Sequence, residues 1–264
     1  MRPLDLPSTD LPSTDLPSTD LPSTDLPGTD LPGTDLPSTV RVGLDLSLYL
    51  VTDTALCGRL GVPETVSAAV AAGVTAVQLR DPHADDDDVV RLGRELAARL
   101  RGTGVPLLVN DRVHLVEPIG ADGAHVGQGD LDVGEARRRL GPDAVLGLSV
   151  QIVAHVEAAR RLPAGTVDYL GVGPVWSQST KPDAAAPGGP QVLRDVVLAS
   201  PWPCVAIGGV TAERVPLVRL AGAAGVAVVS AVCGRPDVGA ATRALRRAWD
   251  DAGSAVRANA GAPR

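Results

Sequence analysis

Two aspartates and one lysine are the residues of this chain best suited to chemistry. Asp111 follows Asn110, and Asp130 lies further along in Gly127-Gln-Gly-Asp130. Two carboxylates with an amide beside them offer hard oxygen ligands, the kind Mg2+ takes when it also keeps water and binds phosphate. As an alternative, the two carboxylates would serve as a general acid and base. His83, His114, His125 and His155 lack the close spacing of zinc ligands, and His125 reads as a satisfied core histidine or one bracing a ligand. Lys181 is the only lysine among 24 basic residues. In a chain that otherwise uses arginine, a compact and flexible ammonium suits a phosphate oxygen in a crowded site. Gly208-Gly209 and Val229-Ser230 add backbone N–H groups and a hydroxyl that approach an anion closely, with a tight turn as the plainer reading of the glycines. Thr211 occupies a good N-cap position for a helix after them.

These residues need a scaffold that gathers them, and the hydrophobic pattern supplies one. Short apolar, β-branched runs recur at Leu46–Val51, Val74–Leu79, Val105–Val109, Gly123–Val126, Ala144–Leu148, Val167–Val172, Cys204–Ile207 and Val226–Val229. Between most of them lie stretches with helical spacing, such as Asp88–Arg101 and Val133–Leu140. The run Asp85–Asp88 reads as a solvated helix start. Eight strand–helix units predict an α/β fold, a (β/α)8 TIM barrel. An open doubly wound sheet would carry a glycine-rich fingerprint after its first strand, and Val51-Thr-Asp-Thr54 is not one. Buried parallel strands read as continuous apolar runs, so polar residues at their C-terminal ends stand out. Those ends read Thr52-Asp53, Gln78-Leu-Arg80, Asn110-Asp111, His125-Val-Gly-Gln128, Ser149, Gly171-Val-Gly173, Gly208-Gly209 and Ser230. The segment from Gly173 to Pro190, rich in turn formers and containing Thr180 and Lys181, predicts a mobile lid.

Seven copies of Asp-Leu-Pro-(Ser/Gly)-Thr fill Asp5 to Thr39. Proline every fifth residue and one leucine per repeat predict a disordered, extended tail over 1–40. The catalytic barrel is expected over 41–252 and a flexible C-terminus over 253–264. The formal net charge is −7, and the tail alone holds seven Asp against one Arg. The nearly neutral body therefore offers no footprint for nucleic acid. Cys57, Cys204 and Cys233 form no CxxC and suit buried thiols in a reducing cytoplasm. No secretory signal or membrane span is visible, so the expectation is a cytoplasmic protein with no membrane partner and a homo-oligomer left open.

Taken in order, the motifs resemble thiamine-phosphate synthase. They are Tyr49-Leu-Val-Thr-Asp53, Val77-Gln-Leu-Arg80, Val109-Asn-Asp-Arg112, Ala121-Asp-Gly-Ala-His-Val-Gly-Gln128 with Asp130, and Gly147-Leu-Ser149. Asp168-Tyr-Leu-Gly-Val-Gly-Pro174, Thr180-Lys-Pro182, Ala206-Ile-Gly-Gly209 and Gly225-Val-Ala-Val-Val-Ser230 continue the series. The match covers about residues 46–250 and leaves the tail outside.

The resemblance implies a (β/α)8 transferase joining a pyrimidine diphosphate to a thiazole phosphate, with thiamine phosphate and pyrophosphate as products. It implies that Gln78, Arg80, Asn110, Ser149 and Lys181 hold the pyrimidine diphosphate, that Asp111 and Asp130 bind Mg2+, and that Thr180, Gly208, Gly209, Val229 and Ser230 seat the thiazole phosphate. Arg80, Ser149 and Lys181 form the implied catalytic set, in a dissociative substitution where pyrophosphate leaves first. Two positions depart from the family pattern. Pro82 stands where most members carry lysine, which directs attention to Arg112 as a replacement cation, and Gln178 stands where most carry threonine. A thiazole tautomerase-like paralogue on the same barrel and a non-catalytic phosphate-ligand binding module are the alternatives.

Overall fold

A computed structural model describes residues 44–180 and 185–260, with side chains to 255. The tail over 1–40, Lys181 and residues 261–264 lie outside that range. Among the described residues, β1 (Leu48–Val51), β2 (Ala76–Leu79), β3 (Leu107–Asn110), β4 (Gly123–Val126), β5 (Val145–Val150), β6 (Tyr169–Val172), β7 (Cys204–Ala206) and β8 (Gly225–Val228) are all parallel. They close in sequence order, with β1 pairing both β2 and β8, so the (β/α)8 barrel is observed and the open sheet is excluded. The strands are Val- and Leu-rich because both faces are covered. β3 starts later than the pattern predicts because Pro106 has no N–H to give the ladder.

The intervening helices are α1 (Thr54–Cys57), α2 (Val62–Ala71), α3 (Asp86–Leu100), α4 (Val116–Ile119), α5 (Val133–Leu140), α6 (Val153–Ala159), α7 (Gly189–Ala199), α8 (Val215–Leu220) and α9 (Val238–Ala260). Asp85 caps α3 by accepting from the Asp88 N–H at 2.8 Å, and Asp86, Asp87 and Asp88 fill its first turn. The acidic run is thus a helix start, as its position implied. α9 continues past residue 252, where a flexible end was expected. Its alanines and the Arg246–Asp250 ion pair, one turn apart, favour helix there.

One apolar cluster fills the space between strands and helices, including Leu50, Leu79, Leu96, Val109, Leu170 and Leu193. A smaller one, with Tyr49, Val51, Ala76, Leu108, Val145, Tyr169, Val205 and Ala227, fills the barrel interior. Two of its members carry hydroxyls, and those hydroxyls build the floor of the site. At the opposite end, Arg137 and Asp168 form a largely buried ion pair at 2.7 Å, and the Asp168 carboxylate also accepts from the Leu146 N–H. Cys57, Cys204 and Cys233 are buried and unbridged. No helix among the described residues is long and apolar enough to cross a membrane.

Candidate active site

Gln78, next to the end of β2, faces the barrel axis, is 4% exposed, and its Nε2 donates to the Tyr49 hydroxyl at 2.8 Å. Tyr49 and Tyr169 share a hydrogen bond at 2.9 Å between their hydroxyls. His125 Nδ1 meets the Tyr169 hydroxyl at 2.9 Å, and His125 Nε2 meets Ser149 Oγ at 2.8 Å. A continuous polar chain therefore crosses the interior from β2 to β5. Two glycines make room for it. A Cβ on Gly147 would stand 2.2 Å from Tyr169 Cζ, and one on Gly171 would stand 2.8 Å from His125 Cε1. Burial pushes the ionisation of both phenols well above the ordinary tyrosine range. Ser149 is half-buried at the rim, and its carbonyl accepts from Gln128 Nε2 at 2.7 Å.

The two carboxylates stand on neighbouring strand ends. Asn110 pairs in register with His125, and the Asp111 N–H donates to the His125 carbonyl at 2.8 Å. Asp111 has φ 58°, the one positive φ outside glycine among the described residues. Such a conformation is a strain that aspartate bears better than most residues and that gathers at functional sites. Asn110 Nδ2 donates to Asp111 Oδ2 at 2.6 Å. Two residues beyond His125, the Gly127 N–H donates to Asp130 Oδ2 at 2.8 Å, which orients the second carboxylate. Among the described residues no group of three or more His, Cys, Asp or Glu gathers for a metal. Two oriented carboxylates fit a hard ion that completes its shell with water and phosphate.

Arg80 follows β2, is half-buried, and its guanidinium makes no hydrogen bond or ion pair among the described residues. Its backbone N–H donates to the hydroxyl oxygen of the fully buried Thr52 at 3.0 Å. Arg112, the cation that would stand in at Pro82, is tied into the loop after β2. Its guanidinium is engaged with the Ala84 carbonyl at 2.7 Å and Asp86 at 3.1 Å, where it braces the loop after β2.

Across the rim, Gly208 and Gly209 have φ of 96° and 63°, and a Cβ on either would collide with the segment after β6. That segment is held closely: the Val175 N–H donates to the Ile207 carbonyl at 2.8 Å and the Trp176 N–H to the Gly208 carbonyl at 3.0 Å. Thr180 donates its hydroxyl proton to Gln178 Oε1 at 2.9 Å, so the departure at position 178 directly engages this residue. Val229 is half-buried and Ser230 exposed, in the turn after β8. The expected cap at Thr211 differs from the prediction. Thr211 occupies the cap position of a 3-10 turn (Ala212–Arg214), but its side chain makes no capping hydrogen bond to the backbone.

The barrel thus brings Gln78, Arg80, Asn110, Asp111, Asp130 and Ser149 to one arc of the rim, and Gly208, Gly209, Val229 and Ser230 to the strand ends that complete the circle. Thr180 lies on the segment after β6. Tyr49 and Tyr169 were not singled out from the sequence, although each is a polar atom at an inward strand position. Two cavities, of 560 and 960 Å3, lie at the other end of the barrel against Pro106, Asp122 and Asp168 and touch none of these groups.

An eight-stranded parallel barrel with its polar groups collected at the C-terminal strand ends defines a (β/α)8 enzyme. A family model described as thiamine monophosphate synthase matches residues 48–232. A thiamine-phosphate synthase of Azorhizobium caulinodans is 47% identical over 202 residues, covering 76% of this chain and 94% of that one. One from Psychrobacter sp. is 46% identical, over 73% of this chain and 90% of its own. Among solved structures, a thiamine phosphate pyrophosphorylase from Pyrococcus furiosus superposes with a TM-score of 0.71 at 31% identity, over 79% of this chain and 98% of that chain. The chain belongs to the thiamine monophosphate synthase family and is a transferase.

Proposed function

We propose that this chain condenses a pyrimidine diphosphate with a thiazole phosphate, giving thiamine phosphate and pyrophosphate. The observation that carries this reading is the placing of Gln78, Asn110, Asp111, Asp130 and Ser149 on neighbouring strand ends, linked by the contacts between β3, β4 and β5. The relatives' names agree with it.

In the proposed reaction the bond between the pyrimidine methylene carbon and the diphosphate oxygen breaks first, and its electron pair leaves with pyrophosphate. The thiazole nitrogen lone pair then forms the new C–N bond. That nitrogen has no proton to lose, so no general base is required. Negative charge grows on the departing group, and groups that hold it more tightly in the transition state speed the step. Arg80, with no partner among the described side chains, and Lys181 fit that role. Asp111 and Asp130 would hold Mg2+, which when bound supplies Lewis-acid stabilisation of the leaving group. Gln78, Asn110 and Ser149 orient the pyrimidine end. Thr180, Gly208, Gly209, Val229 and Ser230 take the thiazole phosphate at the opposite arc. Three buried, unbridged thiols suit a reducing cytoplasm, the compartment we propose.

Incubating the full chain with both substrates and Mg2+, and following thiamine phosphate and pyrophosphate together, tests the reading. Equal amounts of both products, lost on chelation, are expected. Conversion of a thiazole without pyrophosphate release would favour the tautomerase, and saturable binding with no product in any divalent metal would favour a binding module.

A further inference from the structure

The polar chain across the barrel interior has a direction, set by counting protons. Gln78 Nε2 only donates, so the Tyr49 hydroxyl accepts from it at 2.8 Å. Tyr49 then has one proton to place. If Tyr169 donated to Tyr49, that proton would have no acceptor among the described residues, in a site where both rings are at most 2% exposed. An unplaced buried donor is disfavoured, so Tyr49 donates to Tyr169, and Tyr169 donates to His125 Nδ1. Both phenols keep their protons because burial opposes the phenolate. With Nδ1 accepting, the neutral imidazole carries its proton on Nε2 and donates it to Ser149 Oγ at 2.8 Å. Ser149 cannot donate back, so its own proton remains for a group at the rim.

We propose that Tyr169 and His125 are positioning residues: through the Nε2–H tautomer of His125 they fix Ser149 as a hydrogen-bond donor toward the pyrimidine substrate, while Gln78 Oε1 stands at the other end of the chain as an acceptor. The assignment of a substrate to Ser149 rests on the function proposed above, whereas the tautomer does not. Gly147 and Gly171 belong to the same device, since a Cβ at Gly147 would collide with both rings and one at Gly171 with the His125 ring.

The test begins with the full chain labelled with 15N-histidine, without substrate. His125 signals are identified by their loss in His125→Gln. A single neutral imidazole protonated at Nε2 is expected. A proton on Nδ1, which would run the whole chain in reverse and turn Ser149 into a donor to His125, or protons on both nitrogens, would overturn the proposal. Tyr169→Phe then keeps the ring and removes the donor to Nδ1 together with the acceptor of the Tyr49 proton. The expected result is a mixed His125 tautomer, and kcat/KM for the pyrimidine diphosphate falling about tenfold. KM for the thiazole phosphate should stay at the parent value, because its proposed seat lies on other strands. A parent-like kcat/KM for the pyrimidine diphosphate, or an equal loss for both substrates as a merely structural role gives, would overturn the proposal. If the parent formed no thiamine phosphate, the proposed function would fail while the tautomer measurement stood.

Discussion

Gly147→Ala should damage the barrel interior and the site together. The added methyl would stand 2.2 Å from Tyr169 Cζ and 2.4 Å from His125 Nδ1. Nonbonded carbons settle at about 3.5–4.0 Å, so the phenol must retreat by more than ~1 Å. Little space exists for that, because Tyr169 is 0% exposed and its hydroxyl is held on two sides at 2.9 Å. Overpacking costs about 1–3 kcal/mol, and losing one buried hydrogen bond adds ~1–3 kcal/mol. At about 2–4 °C per kcal/mol for a domain of this size, Tm should fall by at least ~4 °C. Turnover per folded molecule should fall as well, because displaced His125 no longer orients Ser149. Thermal denaturation followed by circular dichroism, with thiamine phosphate formation measured on the same samples, reads both effects. Gly129→Ala is the stability control, since nothing lies within 4 Å of a Cβ at that position. A Gly147→Ala protein that melts with the control and turns over like the parent would refute the packing and the polar chain alike.

Other perturbations separate the frame from the chemistry. Arg137→Ala takes the guanidinium from the Asp168 carboxylate, 6% exposed, and deprives the Gly141, Ala144 and Thr166 carbonyls of a donor. Stability in urea should fall by about 3–5 kcal/mol, with kcat and KM of the folded protein unchanged because the pair lies far from the rim. Lys181→Ala should lower turnover at least ~100-fold while leaving Tm unaltered, and a near-parent rate would remove this lysine from the proposed transition state. Deleting residues 1–40 should leave kcat and both KM values as they are in steady-state assays, and a large loss of turnover would give the repeats a catalytic part.

Much of the fold was legible because it depends on local chemistry that repeats. Each β-branched run, each helical stretch and each polar residue at a strand end states its own preference. Eight such units leave little choice but a closed barrel. Asn110, Asp111 and Ser149 could be picked out because a polar residue is conspicuous where an apolar run ends. Arg112 shows where this kind of reading stops. Its type and position suit a substrate cation, and only the packing reveals that its guanidinium also braces Ala84 and Asp86. Thr211 is similar, a capping residue by type that makes no capping bond in the fold.

The amino-acid order alone determined the strand–helix alternation, the acidic start of α3, the separation of the repeat tail and the family motifs, since all of these follow from neighbours along the chain. Closure of the barrel decided the rest. Tyr49 and Tyr169 are 120 positions apart, and nothing near either one names its partner. Their hydroxyls meet because side chains alternate in and out along every strand, and because β1 and β6 enclose a common axis. The proton on His125 is likewise a property of the whole interior, fixed by a glutamine on β2 and delivered to a serine on β5.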